Sequence, residues 1–203
     1  MEIQILHWFE SLHNPVLNPI MYGITSLGDK GLFWILIALL CLTFLPRKYR
    51  KVGFTMAIGL LLSVIFCNGL MKNLWQRPRC FWENGEFMVI GNGFENLYNI
   101  FNSIDDFSFP SGHTSASFAA ALAIFMWRKK EGIWAIVLAA LIAISRLYLT
   151  VHYPTDVLAS LILGSLYGII AYYIVKALMK KFPKFADVLD GKVTYRSLFG
   201  KDK

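Results

Sequence analysis

Three separate stretches of this chain hold side chains that could do chemistry together. "KNLWQRPRC" carries Lys72, Arg77 and Arg79, "PSGHT" carries Ser111, Gly112 and His113, and "SRLYLTVHYPTD" carries Arg146, His152 and Asp156. These residue types suit phosphoryl transfer, which asks for positive charge around the equatorial oxygens, an in-line nucleophile and a proton for the leaving oxygen. Lys72, Arg79 and Arg146 supply cationic donors, and a guanidinium can grip phosphate oxygens in pairs. Ser111 and Gly112 precede an apolar run, so free backbone N–H groups at a helix start would favour an anion, and glycine lets the backbone approach it closely. Asp156 follows His152 by four residues, with Pro154 suited to the first helical position. That spacing lets the carboxylate face the imidazole, fix its tautomer and stabilise the cation formed on attack. His113 has no carboxylate so placed. The expected division is therefore His152 as nucleophile, Asp156 as its orienting group and His113 as general acid. Arg77 is divided evenly between a headgroup contact and plain solvation.

These residues need a scaffold, and the composition says which kind. Of the 203 residues 56% are hydrophobic and only 16% charged, more apolar than a soluble domain of this length. Long uncharged runs predict an all-α, polytopic transmembrane helical bundle. Five spans are expected, at 31–46, 52–71, 112–127, 133–150 and 156–179, with a sixth N-terminal membrane or interfacial helix before Gly28. No cleavable signal peptide is expected, because a basic region followed by an apolar core is missing from the first thirty residues. Cys41, Cys67 and Cys80 lack metal-type spacing and read as structural thiols. His7 and His13 have no evident partner, Asp29 reads as a helix terminus, and Trp75, Phe81 and Trp82 read as an interfacial aromatic belt.

Alternating the spans sends 15 of the 20 Lys and Arg residues to one face, among them Arg47, Lys48, Arg128, Lys129, Lys130 and the tail. Positive residues stay preferentially in the cytoplasm, so that face is cytoplasmic and the long 73–111 loop is outside. The net charge of +7 then reflects topology and anionic lipid headgroups, and nucleic-acid binding is excluded. The same alternation brings all three chemistry-bearing stretches to the outer face. Residues 1–180 are expected to form one membrane-embedded domain with its active site at the outer helix ends, and 181–203 a basic cytoplasmic tail.

The three stretches resemble the signature of the type 2 phosphatidic acid phosphatase family: K-x6-R-P, then P-S-G-H, then S-R-x5-H-x3-D. Ser145, Arg146, His152 and Asp156 are in register, as are Lys72 and Arg79, while Cys80 replaces the family proline. The resemblance spans about residues 20–180. It implies a six-helix core, a phosphohistidine intermediate, and neither metal nor other cofactor. The expected activity is hydrolysis of a lipid phosphate or pyrophosphate, with undecaprenyl pyrophosphate preferred over phosphatidylglycerol phosphate and phosphatidic acid. The expected partners are that substrate and membrane lipids, with no obligate protein partner. Two rivals stand beside it: a water-soluble phosphoester substrate, as in glucose-6-phosphatase-like enzymes, and a lipid-phosphate transporter or sensor that binds without turnover.

Overall fold

The apolar stretches extend into long helices because neither proline nor charge interrupts them. The structure, a computed structural model, describes residues 1–80, 82–83, 86–87 and 107–193. Much of the expected 73–111 loop, including the Phe81 and Trp82 side chains, and the end of the tail lie outside the described residues. In chain order the helices are α1 (Glu2–Ser11), α2 (Leu17–Ser26), α3 (Leu32–Thr43), α4 (Arg47–Trp75), α5 (Gly112–Trp127), α6 (Lys129–Tyr148), α7 (Pro154–Lys181) and α8 (Pro183–Leu189). A short antiparallel ladder pairs Trp82–Glu83 with Glu86–Phe87.

Among the described residues, α4, α6 and α7 are each long and apolar enough to cross a membrane. Helices α2 and α3, the latter with the turn Asp29–Gly31 that leads into it, reach that length only as a pair, bent by 42° at the break after Ser26. The expected span at 112–127 coincides with α5, whose 16 residues rise about 24 Å, short of a hydrocarbon core of about 30 Å. It is the central helix, packed against α4, α6 and α7.

Close approach around α5 follows from its small residues. A Cβ on Gly164 would lie 2.4 Å from the Ser115 carbonyl oxygen, and one on Gly168 would lie 2.5 Å from that of Ala119. Both pairs are four residues apart, so each forms one stripe along its helix, and the two backbones meet where larger side chains would hold them apart. Polar side chains in this seam are satisfied internally, as an apolar surround demands. Ser63 and Ser115 hydroxyls lie 2.8 Å apart, Trp34 Nε1 donates to Ser117 Oγ at 2.9 Å, and Trp127 Nε1 donates to Thr55 Oγ1 at 2.8 Å. The outward faces are the reverse of a soluble protein's, with Leu36, Leu39, Val64, Trp134, Leu158 and Ile162 exposed.

Both N-terminal helices lie at the end of the bundle that carries Arg146 and His152. Glu2 of α1 bonds Thr155 at the start of α7, His13 Nε2 lies 2.7 Å from the Tyr148 carbonyl at the end of α6, and Arg146 donates to Thr25 of α2 at 2.7 Å. His13, expected to lack a partner, thus has one. A contact across 135 residues leaves no trace in local sequence. His7 pairs with Glu10 at 3.1 Å, the neighbour one helical turn away. At the opposite end, α8 folds back on α4 through Lys51 and Asp190 at 2.9 Å.

Candidate active site

Each stretch reaches the site by its own local device. Within α4, residues Ser63–Met71 wind as a π-helix before the last turn, Lys72–Trp75. The wider winding rotates that last turn about the helix axis, and such insertions recur at functional sites. Lys72 is consequently only 7% exposed while Asn73, Leu74 and Trp75 point outward. Ser111 caps α5: its hydroxyl accepts from the Thr114 hydroxyl at 3.1 Å and from the Thr114 N–H at 3.5 Å. Gly112 comes next, and a Cβ there would stand 2.7 Å from Asn68 Oδ1, so no other residue fits without displacing Asn68.

The turn between α6 and α7 holds His152. Thr150 adopts φ +51°, which is unfavourable for a β-branched residue and persists only where surrounding contacts enforce it. Those contacts are present. Cys80 Sγ donates to the Thr150 carbonyl at 2.8 Å, and Arg79 Nη1 donates to the Val151 carbonyl at 2.9 Å. Cys80 thereby performs a task that a proline in its place could not. Burial, reinforced by nearby Asp156, pushes its thiol up to about 12, so it stays protonated and able to donate.

Arg79 Nη1 also lies 3.2 Å from His152 Nε2. Guanidinium only donates, so Nε2 must accept, which places the imidazole proton on Nδ1. That atom faces Asp156 Oδ2 at 3.6 Å and Ser108 Oγ at 3.5 Å. The Asp156 contact is slightly longer than a hydrogen bond because the carboxylate is already engaged elsewhere. Oδ1 accepts from Arg77 at 2.7 Å, and Oδ2 accepts from the Ser108 hydroxyl and from the Tyr153 N–H at 3.0 Å. Tyr153 is the helix cap and Asp156 the third helical residue, so the carboxylate closes a reciprocal capping box on α7, with Pro154 in the first turn as expected.

A cleft of about 880 Å³ collects the rest. Lys72, Arg79, Gly112, His113, Arg146 and His152 line it, together with Asp29 and Lys30 at its rim. All three stretches therefore deliver side chains to one space. Ser111, Asp156 and Arg77 do not line it. Ser111 is spent on the helix cap and Asp156 stands behind His152. Arg77, weighed between headgroup and solvent, contacts Asp156, Glu2 and Thr155. Asp29, expected as a plain helix terminus, stands at the cleft as well as opening a 3-10 turn. Ser108, Thr25, Glu2 and Asn68 were not singled out from sequence. Only Ser108 carried a usable signal, lying three residues before the capping serine in "FSFPSGH". Among the described residues no cluster of three or more His, Cys, Asp or Glu could hold a metal ion.

Residues 48–180 match the PAP2 superfamily. A putative undecaprenyl-diphosphatase of Escherichia coli is 38% identical over 57% of this chain, and the match spans about half, 52%, of that relative's length. Phosphatidylglycerophosphatase B of Bacillus subtilis is 29% identical over 86% of this chain and 81% of its own. A crystal structure of a PAP2-type phosphatidylglycerolphosphate phosphatase from Bacillus subtilis superposes with a TM-score of 0.60 at 26% identity, covering 88% of this chain and 84% of the other. The chain belongs to the PAP2 superfamily.

Proposed function

We propose that this phosphatase hydrolyses a lipid pyrophosphate or phosphate monoester through a phosphohistidine on His152, without a metal ion. The single observation that carries the reading is the convergence of Lys72, Arg79, Arg146, His113 and His152 on one cleft. With Nε2 turned to Arg79, a phosphoryl group gripped by that guanidinium would present its phosphorus to the unprotonated nitrogen. Lys72, Arg146 and the Gly112 N–H would hold the remaining oxygens. As the N–P bond forms and the P–O bond breaks, His113 gives its proton to the leaving oxygen. It then takes a proton from the water that cleaves the N–P bond, which returns both histidines to their starting state. The Asp156 carboxylate stabilises the His152 ring while it is cationic, from N–P bond formation until water cleaves that bond. Three cationic side chains offset the phosphoryl charge, the part a metal ion plays in many phosphoryl transferases.

The cleft supports a lipid substrate. Leu60 and Ala116 line it as well as the cations, and so do Ile35 and Val64, which are exposed on the apolar exterior. A headgroup at the charged end could send its chain sideways into the bilayer without crossing a protein wall. Undecaprenyl pyrophosphate is our preferred substrate. A diphosphate carries more negative charge than a monoester, three buried cations converge on the cleft, and the Escherichia coli relative bears that name. Phosphatidylglycerol phosphate and phosphatidic acid are the second reading, favoured by the long alignment with phosphatidylglycerophosphatase B. A sensor or transporter has no evident use for a nucleophile backed by a fully bonded carboxylate.

The membrane arrangement we favour has five crossings: bent α2–α3, then α4, α5, α6 and α7. Helix α1 lies at the interface and takes the sixth, interfacial place. The excess of cations at the α8 end favours a cytoplasmic tail and an outward-facing cleft, and we read residues 1–180 as one catalytic domain.

Phosphate release by the detergent-purified protein in EDTA, with undecaprenyl pyrophosphate, phosphatidylglycerol phosphate, phosphatidic acid and glucose 6-phosphate, tests the reading. Release from a lipid, absent in His152→Ala, is expected. Full release by that variant would overturn the assignment, and release from glucose 6-phosphate alone would replace the substrate class.

A further inference from the structure

The N-terminal helix α1 touches the network behind the proposed nucleophile. Glu2 Oε2 accepts from Arg77 Nη2 at 2.8 Å. Its other oxygen accepts from the Thr155 hydroxyl at 2.6 Å and from the Thr155 N–H at 3.2 Å. That N–H belongs to the first turn of α7, where free donors and the helix dipole attract a carboxylate. Burial would raise the Glu2 pKa, but the bonds from Thr155 and Arg77 outweigh it and hold the group below the ordinary glutamate range.

Arg77 is the hub of this network. One nitrogen, Nη1, reaches both Asp156 Oδ1 and Thr155 Oγ1 at 2.7 Å, while Nη2 takes Glu2. Its guanidinium is centred 3.8 Å above the Tyr153 ring, which fixes the plane of the fork. Its backbone carbonyl accepts from the Ser108 N–H at 2.8 Å, and the Ser108 hydroxyl reaches Asp156 Oδ2. The two ends of the loop between α4 and α5 are thus tied to each other, and each sends one side chain to one oxygen of the same carboxylate. Asp156 is 0% exposed and His152 beside it is 1% exposed.

We propose that Arg77 is a positioning residue for the His152–Asp156 pair, and that Glu2 of α1 acts through it, so that the N-terminal helix is a working part of the active site. The inference rests on the reading of His152 as nucleophile. Without Glu2 the Arg77 fork has one anchor fewer, and its hold on Asp156 Oδ1 slackens, leaving Ser108 and the Tyr153 N–H alone to aim the other oxygen at the His152 ring. Neither residue lines the cleft, so the effect falls on the chemical step rather than on substrate binding.

The test is a double-mutant cycle on the full chain, reading kcat and KM separately for phosphate release from undecaprenyl pyrophosphate. Arg77→Ala should lower kcat about 30- to 100-fold with KM changed less than about twofold, the scale expected when a reacting group is misplaced by about 1 Å. Arg77→Lys should recover part of that loss, and should replace Arg77→Ala in the cycle if the latter does not fold. Glu2→Gln should lower kcat about three- to tenfold in the wild-type background and have no further effect in the Arg77 variant. Equal losses from Glu2→Gln in both backgrounds would overturn the relay, as would a raised KM with kcat unchanged. Full activity in His152→Ala would instead overturn the nucleophile assignment beneath it.

Discussion

At the tail end of the bundle Arg47, Lys48, Lys129 and Lys130 stand exposed, whereas Lys72, Arg79 and Arg146 at the other end are each only 7% exposed. The residue types are the same and the circumstances opposite. A solvated cation at a helix end costs little and sets topology, while a buried one costs several kcal/mol unless it is bonded. Arg146 is held by Thr25 and Arg79 by the Val151 carbonyl. Burial and convergence, rather than charge, distinguish a candidate phosphate site from a topology signal.

Mutation can break this contrast, and the largest effect should come at His152. His152→Ala should lower phosphate release at least about 10⁴-fold with the melting temperature little changed, while Lys129→Ala and Lys130→Ala should stay within about twofold of wild type. Steady-state rates beside thermal unfolding of the detergent-solubilised protein would check both. Next come the buried cations. Arg146→Ala or Lys72→Ala should reduce kcat/KM about 10²- to 10³-fold, the scale for losing one donor to developing charge. A loss no larger than at the tail end would erase the contrast.

The α5–α7 seam sharpens the comparison from another side, because it has no part in the chemistry. Gly168→Leu must push against the Ala119 carbonyl, Leu122 and Ala123. It should destabilise by about 1–3 kcal/mol or more, lowering the melting temperature, with activity per folded molecule largely retained. The smallest effect should be at Cys80. With its thiol pushed up to about 12, alkylation by a maleimide at pH 8 should be far slower than for a cysteine introduced at the exposed position Lys129. Cys80→Ala should destabilise by about 1 kcal/mol through loss of the Thr150 contact.

Much of the proposed site was legible in the sequence. Lys72, Arg79, His113, Arg146 and His152 stand in motifs with fixed spacing, and span alternation alone brought them to one face. The hidden part depends on contacts between distant segments. Thr25 meets Arg146 across 121 residues, and Arg77 meets Glu2 across 75, so no local pattern records either. The π-helical winding that turns Lys72 inward comes from packing and not from any residue that marks it in "SVIFCNGLM". Span ends were legible to a few residues. Residues 112–127 were read at the bounds of α5, whereas the pairing of α2 with α3 across a bend was not read, because hydropathy reports apolar runs without saying how two short ones join.

The proposed chemistry depends above all on phosphorus passing through His152. The decisive experiment is rapid quenching of the enzyme during turnover of a lipid pyrophosphate labelled in its terminal phosphate. An acid-labile, base-stable phosphoryl adduct is expected, which peptide mapping places on residue 152. It should be absent from His152→Ala and accumulate in a variant with slowed water attack, such as His113→Ala with an activated leaving group. Phosphate release at full rate with no protein-bound label at any quench time would rule out the covalent route.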